Sequence, residues 1–435
     1  MKKYASLLAV MLAVALLLAV PAGALAATSV STAADLKTAV EAGESVVLTG
    51  DITLTESLKV SGKTLTIDLG GNTLSMPKGD NFFQADSDIT ITNGTIDISN
   101  GVASGDAYIN VGNYSTSSKL TLDGVTFKGT DYSSAYAVFY VRKNSTLNIK
   151  NSTVTLTNDK ASAGGVIKGK FPHSVNITDG SVLNFTNAKI GILGGNVLFK
   201  DSELNVSGGA NGINSSAGDN ELHLTVDNSA LTLKDGKGGT GMKLRGGSSL
   251  TVKNGGSVEL TGYTDADEYD LVLDATGTIS IDDSSYVAYN TLKAPSDVLG
   301  SVQEDDIANL ENESVANHVL AKGVTVTYTD GVSDATIFAD ETYTTFGGAD
   351  TPAFQGKTKR EGYTFDGWNP ALADKVSGVT TYTAQWTLNA VEDDEPVTED
   401  KAPVTGDNTP IAMLMALVVM AGAGMLVAGK KFAAR

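Results

Sequence analysis

Six residues combine types and spacing that can hold an anion: Tyr140, Arg142, Lys168, Lys170, Lys243 and Arg245. They stand out because the protein is acidic, with 31 Lys and Arg against 50 Asp and Glu and a formal net charge of −19 at pH 7. Such a chain repels nucleic acid and anionic membrane in bulk, so an anionic partner needs a local basic patch. If Val141, Ile167 and Leu244 face an interior, period-2 alternation turns Arg142, Lys168, Lys243 and Arg245 outwards, with Lys143 and Lys170 beside them and Tyr140 on the same face. Cations in such a row suit the carboxylates of uronates or the sulfates of acidic glycans; in a lyase they would steady a carboxylate and abstract a proton. The plainer reading is a set of solubilising residues on a sheet face, and Gly191 and Asn214 interrupt the row.

Other chemistries find less support. Glycoside hydrolysis needs paired carboxylates at roughly 5–10 Å, whereas Asp106, Asp219, Asp270 and Asp274 are scattered and Asp282-Asp283 reads as a turn. The three histidines, His173, His223 and His318, are isolated, and no acidic cluster has calcium-loop spacing, so neither metal nor cofactor is expected. The glycines of 236–241 are turns and do not form a phosphate-binding loop opening a helix.

The elements that position the stripe belong to a repeat. An apolar alternation, a turn of Asn, Asp, Gly or Ser, and a second alternation recur, as in Leu147-Asn-Ile149 with Val154-Thr-Leu156 and Leu250-Thr-Val252 with Val258-Glu-Leu260. Equivalent positions are Ile67, Ile91, Leu122, Ile149, Ile177, Phe199, Val226, Val252 and Ile281, a spacing suited to a solenoid. Period-2 patterning rich in β-branched residues predicts strands. A third short strand, such as Val138-Phe-Tyr-Val141 or Met242-Lys-Leu244, precedes each phrase. Three such strands bury an interior only when coils stack at about 4.8 Å, so the expected fold is a mainly β, three-sided, right-handed parallel β-helix over 46–293. Residues Leu65-Thr-Ile-Asp-Leu-Gly-Gly-Asn-Thr-Leu74, followed by Ile89-Thr-Ile-Thr-Asn-Gly-Thr-Ile96, resemble the opening coils of the pectin-lyase-like superfamily, which includes polysaccharide lyases.

A solenoid end needs a cap. Residues 27–45 offer a helix with Thr32 as N-cap, Leu36, Ala39 and Val40 on one face and Gly43 past its end. Residues 294–322 read as helix or linker. From Val324 the texture changes: Glu361-Gly-Tyr-Thr-Phe-Asp-Gly-Trp368 and Thr381-Tyr-Thr-Ala-Gln-Trp386 resemble the Listeria-Bacteroides repeat, which implies a small β-grasp-like module over 323–388. Tyr363, Phe365, Trp368 and Trp386 are its expected mini-core, and an acidic tether follows over 389–401.

Both chain ends carry processing patterns. Lys2 and Lys3 precede an apolar stretch over 7–20, then Pro21 and Ala24-Leu25-Ala26, the layout of a secretory signal over 1–26 cut before Ala27. With no cysteine, an exported chain must rely on burial and backbone pairing. Ala402-Pro403-Val404-Thr405-Gly406 precedes a polar spacer, an apolar run over 411–428 that is nearly long enough to span a bilayer as a transmembrane helix, and Lys430, Lys431 and Arg435. That order resembles the cell-wall sorting signal of Gram-positive surface proteins, with Ala402 where leucine is usual. The resemblance implies a sortase cutting between Thr405 and Gly406 and joining Thr405 to peptidoglycan. The expectation is therefore a protein of the Gram-positive cell surface that binds glycan as an adhesin without turnover. A surface lyase of uronate-containing glycans and a passive scaffold are the alternatives.

Overall fold

The computed structural model describes residues 27–390, apart from 77, 80–82, 104–106, 114, 135, 159–163, 216–220, 264–268, 275, 294–306 and 312–315. The signal with Ala24 and Ala26, most of the tether, residues 402–406 and the apolar run of 411–428 lie outside the described residues, and Ala27 is the first within them. Among the described residues, no helix is long and apolar enough to cross a membrane.

From Thr28 to Lys293 short strands wind into a parallel β-solenoid of about eight turns. Three strands make a turn, and each pairs in parallel with its counterpart one turn on. Thr146–Lys150 pairs with Ser174–Thr178, Thr153–Thr157 with Val182–Thr186, and Ala137–Val141 with Gly165–Gly169. On the first face the register aligns Ile67, Ile91, Leu122, Ile149, Ile177, Phe199, Val226, Val252 and Ile281, the positions that the repeat made equivalent. All nine are buried in one continuous core. The alternation forces this: with one face of each strand inward, slipping by one residue would place Thr and Asn inside and Ile and Leu outside.

Two polar ladders support the corners between the first and second faces. Asn93, Asn151, Asp179, Asp201, Asn228 and Asn254 adopt positive φ, a conformation that Asn and Asp tolerate better than other side chains. Their side chains also reach between coils, with Asn228 Nδ2 donating to Asp201 Oδ1 at 2.6 Å. Inside, serine hydroxyls supply acceptors for amides that turn away from the sheets. Ser152 Oγ accepts from Val125 N at 2.9 Å, and Ser152 N donates to Ser181 Oγ at 3.2 Å.

The first turns are covered by the helix Ala33–Ala42, whose buried Leu36, Ala39 and Val40 face the core. Thr32 caps it by accepting from Asp35 N, and Gly43 ends it at φ 76°. The opposite end corrects the expectation of helix or linker over 294–322. Where described, that stretch is mostly strand: Ile307–Glu311 and the first part of His318–Thr329 form an antiparallel pair. The latter also pairs antiparallel with Tyr286–Tyr289, the last strand of the second face. The alternation Val319, Ala321 and Leu320, all buried, explains the outcome: a strand can bury both faces where it closes a solenoid edge.

His318–Thr329 then runs on without a break into a second sheet, pairing with Glu341–Phe346 antiparallel and Thr380–Leu388 in parallel. This module centres on Tyr328, not on the tryptophans. Val324, Val326, Tyr328, Val376 and Tyr382 form its buried core, with Trp368, Phe354 and Tyr343 packed against it. Trp386 and Phe365 remain half-buried beside each other, 5.5 Å between ring centroids, and Tyr363 carries Arg360 over its ring at 3.7 Å.

Candidate functional site

The third face carries the basic residues, and its outward side is not the open stripe that alternation alone suggests. The register aligns Gln84, Asn110, Tyr140, Lys168, Leu193, Asn214, Lys243, Val272 and Lys293. Leu193 and Asn214 occupy the two positions between Lys168 and Lys243, so two basic groups lie roughly 14 Å apart at about 4.8 Å per coil. Tyr140, Arg142 and Lys168 are buried, at 5 %, 8 % and 7 % exposure.

Around the first group, cations and rings alternate. Lys168 Nζ lies 4.4 Å above the Tyr136 ring, Tyr136 meets Tyr140 edge-on at 5.2 Å, and the Arg142 guanidinium sits 4.3 Å above Tyr140. Aromatic faces stabilise cations that have lost water. Burial pushes the Lys168 amine below its ordinary range, and the Lys189 charge adds to this. In the second group burial likewise lowers Lys243, helped by Arg245 and Lys293, and Lys293 rests 5.1 Å above Tyr269. Three other solenoid lysines behave differently: Lys128, Lys150 and Lys253 each reach an aspartate one coil back, at 3.1, 2.9 and 3.3 Å.

At the edge of the first group the surface opens into a cavity of about 520 Å3, a size typical of ligand sites. Three segments from successive coils build it. Arg142, Lys143 and Asn144 follow the strand Ala137–Val141, and Lys170 and Phe171 follow Gly165–Gly169. The third segment is a turn at Asn113, whose Oδ1 accepts from the amides of Ser115 and Thr116 at 2.7 and 2.9 Å and holds Ser115, Thr116 and Ser117 against the opening. Among the described residues, the lining thus offers three cations, several hydroxyl and amide groups, one aromatic ring and no carboxylate. Lys143 and Lys170 are exposed, unlike Arg142.

A buried histidine supports this wall. The cis peptide Phe171–Pro172 leads from Lys170 to His173, and Asn144 N donates to the Pro172 carbonyl at 2.5 Å, tying two cavity segments together. His173 is 1 % exposed and is enclosed by Gly169 and Gly195, where a Cβ would come within 2.7 and 2.5 Å of its ring. Burial lowers its pKa to about 4; the nearby Lys170 backbone opposes this only in part, and neither ring nitrogen has a hydrogen bond of normal geometry.

Sequence reasoning placed Arg142 and Lys170 in one neighbourhood, where the structure also has them, and read a break between them and Lys243 and Arg245, which lie coils away; the register puts Leu193 and Asn214 in that break, not Gly191 and Asn214. It missed Tyr136, Lys189, Phe171 and the 113–117 turn. Only the Ser-rich composition of that turn was visible, and nothing local says that it faces Lys170. Among the described carboxylates, Asp270 is fully buried, its pKa raised by burial, and it accepts from the amides of Tyr263, Asn290 and Thr291. Asp274 and Asp282 hold turns by accepting from Thr276 and Ser284. Asp106 and Asp219 lie outside the described residues. Among the described residues, no group of three His, Asp or Glu could hold a metal ion. His223 has Nδ1 3.0 Å from Ser249 Oγ and Nε2 3.5 Å from Glu221.

Fold and site together define a parallel β-solenoid protein with a basic, aromatic-backed cavity on one face. No protein-family model matches the chain, and no curated protein or solved structure matches it either.

Proposed function

We propose that this is an exported surface protein of a Gram-positive bacterium, held covalently to peptidoglycan through Thr405 after sortase cleavage, and that its solenoid binds anionic glycan as an adhesin. In finer terms the solenoid is read as a right-handed, pectin-lyase-like β-helix and 323–388 as a β-grasp-like Listeria-Bacteroides repeat acting as spacer. The observation that supports binding is the cavity. In a chain of net charge −19, three cations meet around about 520 Å3 with no carboxylate among the described lining residues, an arrangement that favours uronate or sulfate groups.

The test is retention of residues 27–388 on neutral, uronate and sulfated polysaccharides, compared with the double variant Lys143→Glu and Lys170→Glu. Both side chains are exposed, so the variant should fold. Loss of retention supports the site, and unchanged retention overturns it. Reversal at Lys168 is a poorer test, because a buried carboxylate there would perturb folding. The same lysine supports a second reading. An amine with a lowered pKa beside Tyr136 suits proton abstraction in a lyase, which would announce itself by accumulating ultraviolet-absorbing unsaturated sugar. Attachment is tested by mass spectrometry of wall-released protein: a C-terminus at Thr405 linked to cross-bridge peptide supports it, and an intact tail to Arg435 refutes it.

A further inference from the structure

The strand His318–Thr329 belongs to two structures at once. Its first residues close the solenoid, where Val287 faces Leu320 and Ala288 faces Val319, and its later residues form the middle of the module sheet. Phe346 packs on Tyr286 at 5.6 Å, and Ala288, Val319, Ala321 and Phe346 share one buried cluster, so the junction is a packed interface and not a linker. The module's other relevant strand is Thr380–Leu388, after which the chain continues to residues 402–406. These two strands are parallel, with Val326 opposite Thr380 and Thr329 opposite Thr383.

We propose that the module has a mechanical function: the pair His318–Thr329 and Thr380–Leu388 is a shear clamp that bears tension between the solenoid and the C-terminal tail. The geometry decides this. Load reaches one strand at its N-terminal end, from the solenoid, and the other at its C-terminal end, from the tail. Parallel strands pulled from opposite ends slide along each other, so all the bonds between them are strained together. Antiparallel strands in the same position would be peeled open one bond at a time. Packing reinforces the pair against sliding: Tyr328 and Tyr382 stack at 5.3 Å, and Trp386 Nε1 donates to Asp330 O at 2.7 Å beyond the last registered pair. The source of the load rests on the proposed wall attachment, but the clamp does not. If mass spectrometry found no attachment at Thr405, the contrast in forces below would be unaffected.

The absence of native cysteine allows two handles to be placed uniquely in the exported chain. Gly323→Cys with Leu388→Cys loads the pair in shear; Ser333→Cys with Leu388→Cys loads the same two strands from adjacent ends and peels them. The sites suit handles, since a Cβ at Gly323 would meet only Thr344 Cγ2 at 3.9 Å, and Ser333 and Leu388 are exposed. In single-molecule pulling at one loading rate, the shear pair should give way at a force at least about twofold above the peeling pair. A released length of roughly 200 Å identifies the event as opening of the module. Equal forces, or a weaker shear geometry, would overturn the proposal.

Discussion

Acid should loosen the wall of the cavity before it affects the rest of the solenoid. His173 is neutral in the fold, with its pKa lowered to about 4 from an ordinary value of 6.5. A folded-state pKa below the unfolded one means that the unfolded chain binds the proton more readily. The stability associated with neutral His173 is therefore complete above pH 6.5 and is lost as pH falls through that value towards 4. At 1.36 kcal/mol per unit, the difference amounts to about 3 kcal/mol, with little solvent discount because the ring is 1 % exposed. Carboxylates held low by hydrogen bonds and cations, such as Asp97, Asp227, Asp274 and Asp282, lose their contribution only below the ordinary aspartate value of 3.8, so the windows separate. Asp270 acts in the opposite sense, because its raised pKa makes protonation favour the fold as pH falls, and Asp270→Asn isolates that contribution. A long repeat need not unfold in two states, so hydrogen exchange at residues 170–174, followed from pH 7 to 4.5 and corrected for intrinsic rates, is the suitable readout alongside urea melts. The wild type should lose protection across this range, and His173→Phe, similar in size and uncharged, should not. Protection independent of pH, or an equal loss in the variant, would refute the reasoning.

Three further outcomes follow from packing and charge. Phe199→Ala removes a fully buried ring from the continuous inward row and should cost about 3–5 kcal/mol, seen as a lower urea midpoint; a cost under 1 kcal/mol would contradict the register. Ser152→Ala leaves the buried Val125 amide without its acceptor and should cost about 1–3 kcal/mol, with faster exchange of that amide than of its neighbours. Retention on an anionic glycan should weaken steeply with added salt, and the Lys143 and Lys170 reversals should flatten that dependence.

The solenoid was legible because its code is local. Strand period, turn residues and the spacing of Ile149, Ile177 and Phe199 all state the same register, and the buried core requires it. The stripe was only half legible. Alternation gives the side of the sheet on which Tyr140, Arg142 and Lys168 lie, but not what covers them. The closing segment was misread because a short strand with both faces buried lacks clean alternation and resembles helix by composition.

By itself, then, the sequence determined the repeat, its inward row, the helical cap with Thr32 and Gly43, and the acidity against which a basic patch is conspicuous. Tertiary structure alone decided that Arg142 lies over Tyr140, that the turn at Asn113 faces Lys170, and that one strand serves both solenoid and module. The reason is distance along the chain. Neighbours in the cavity come from different coils, about 30 residues apart in sequence, and no pattern within a strand encodes which turn of the next coil will stand beside it.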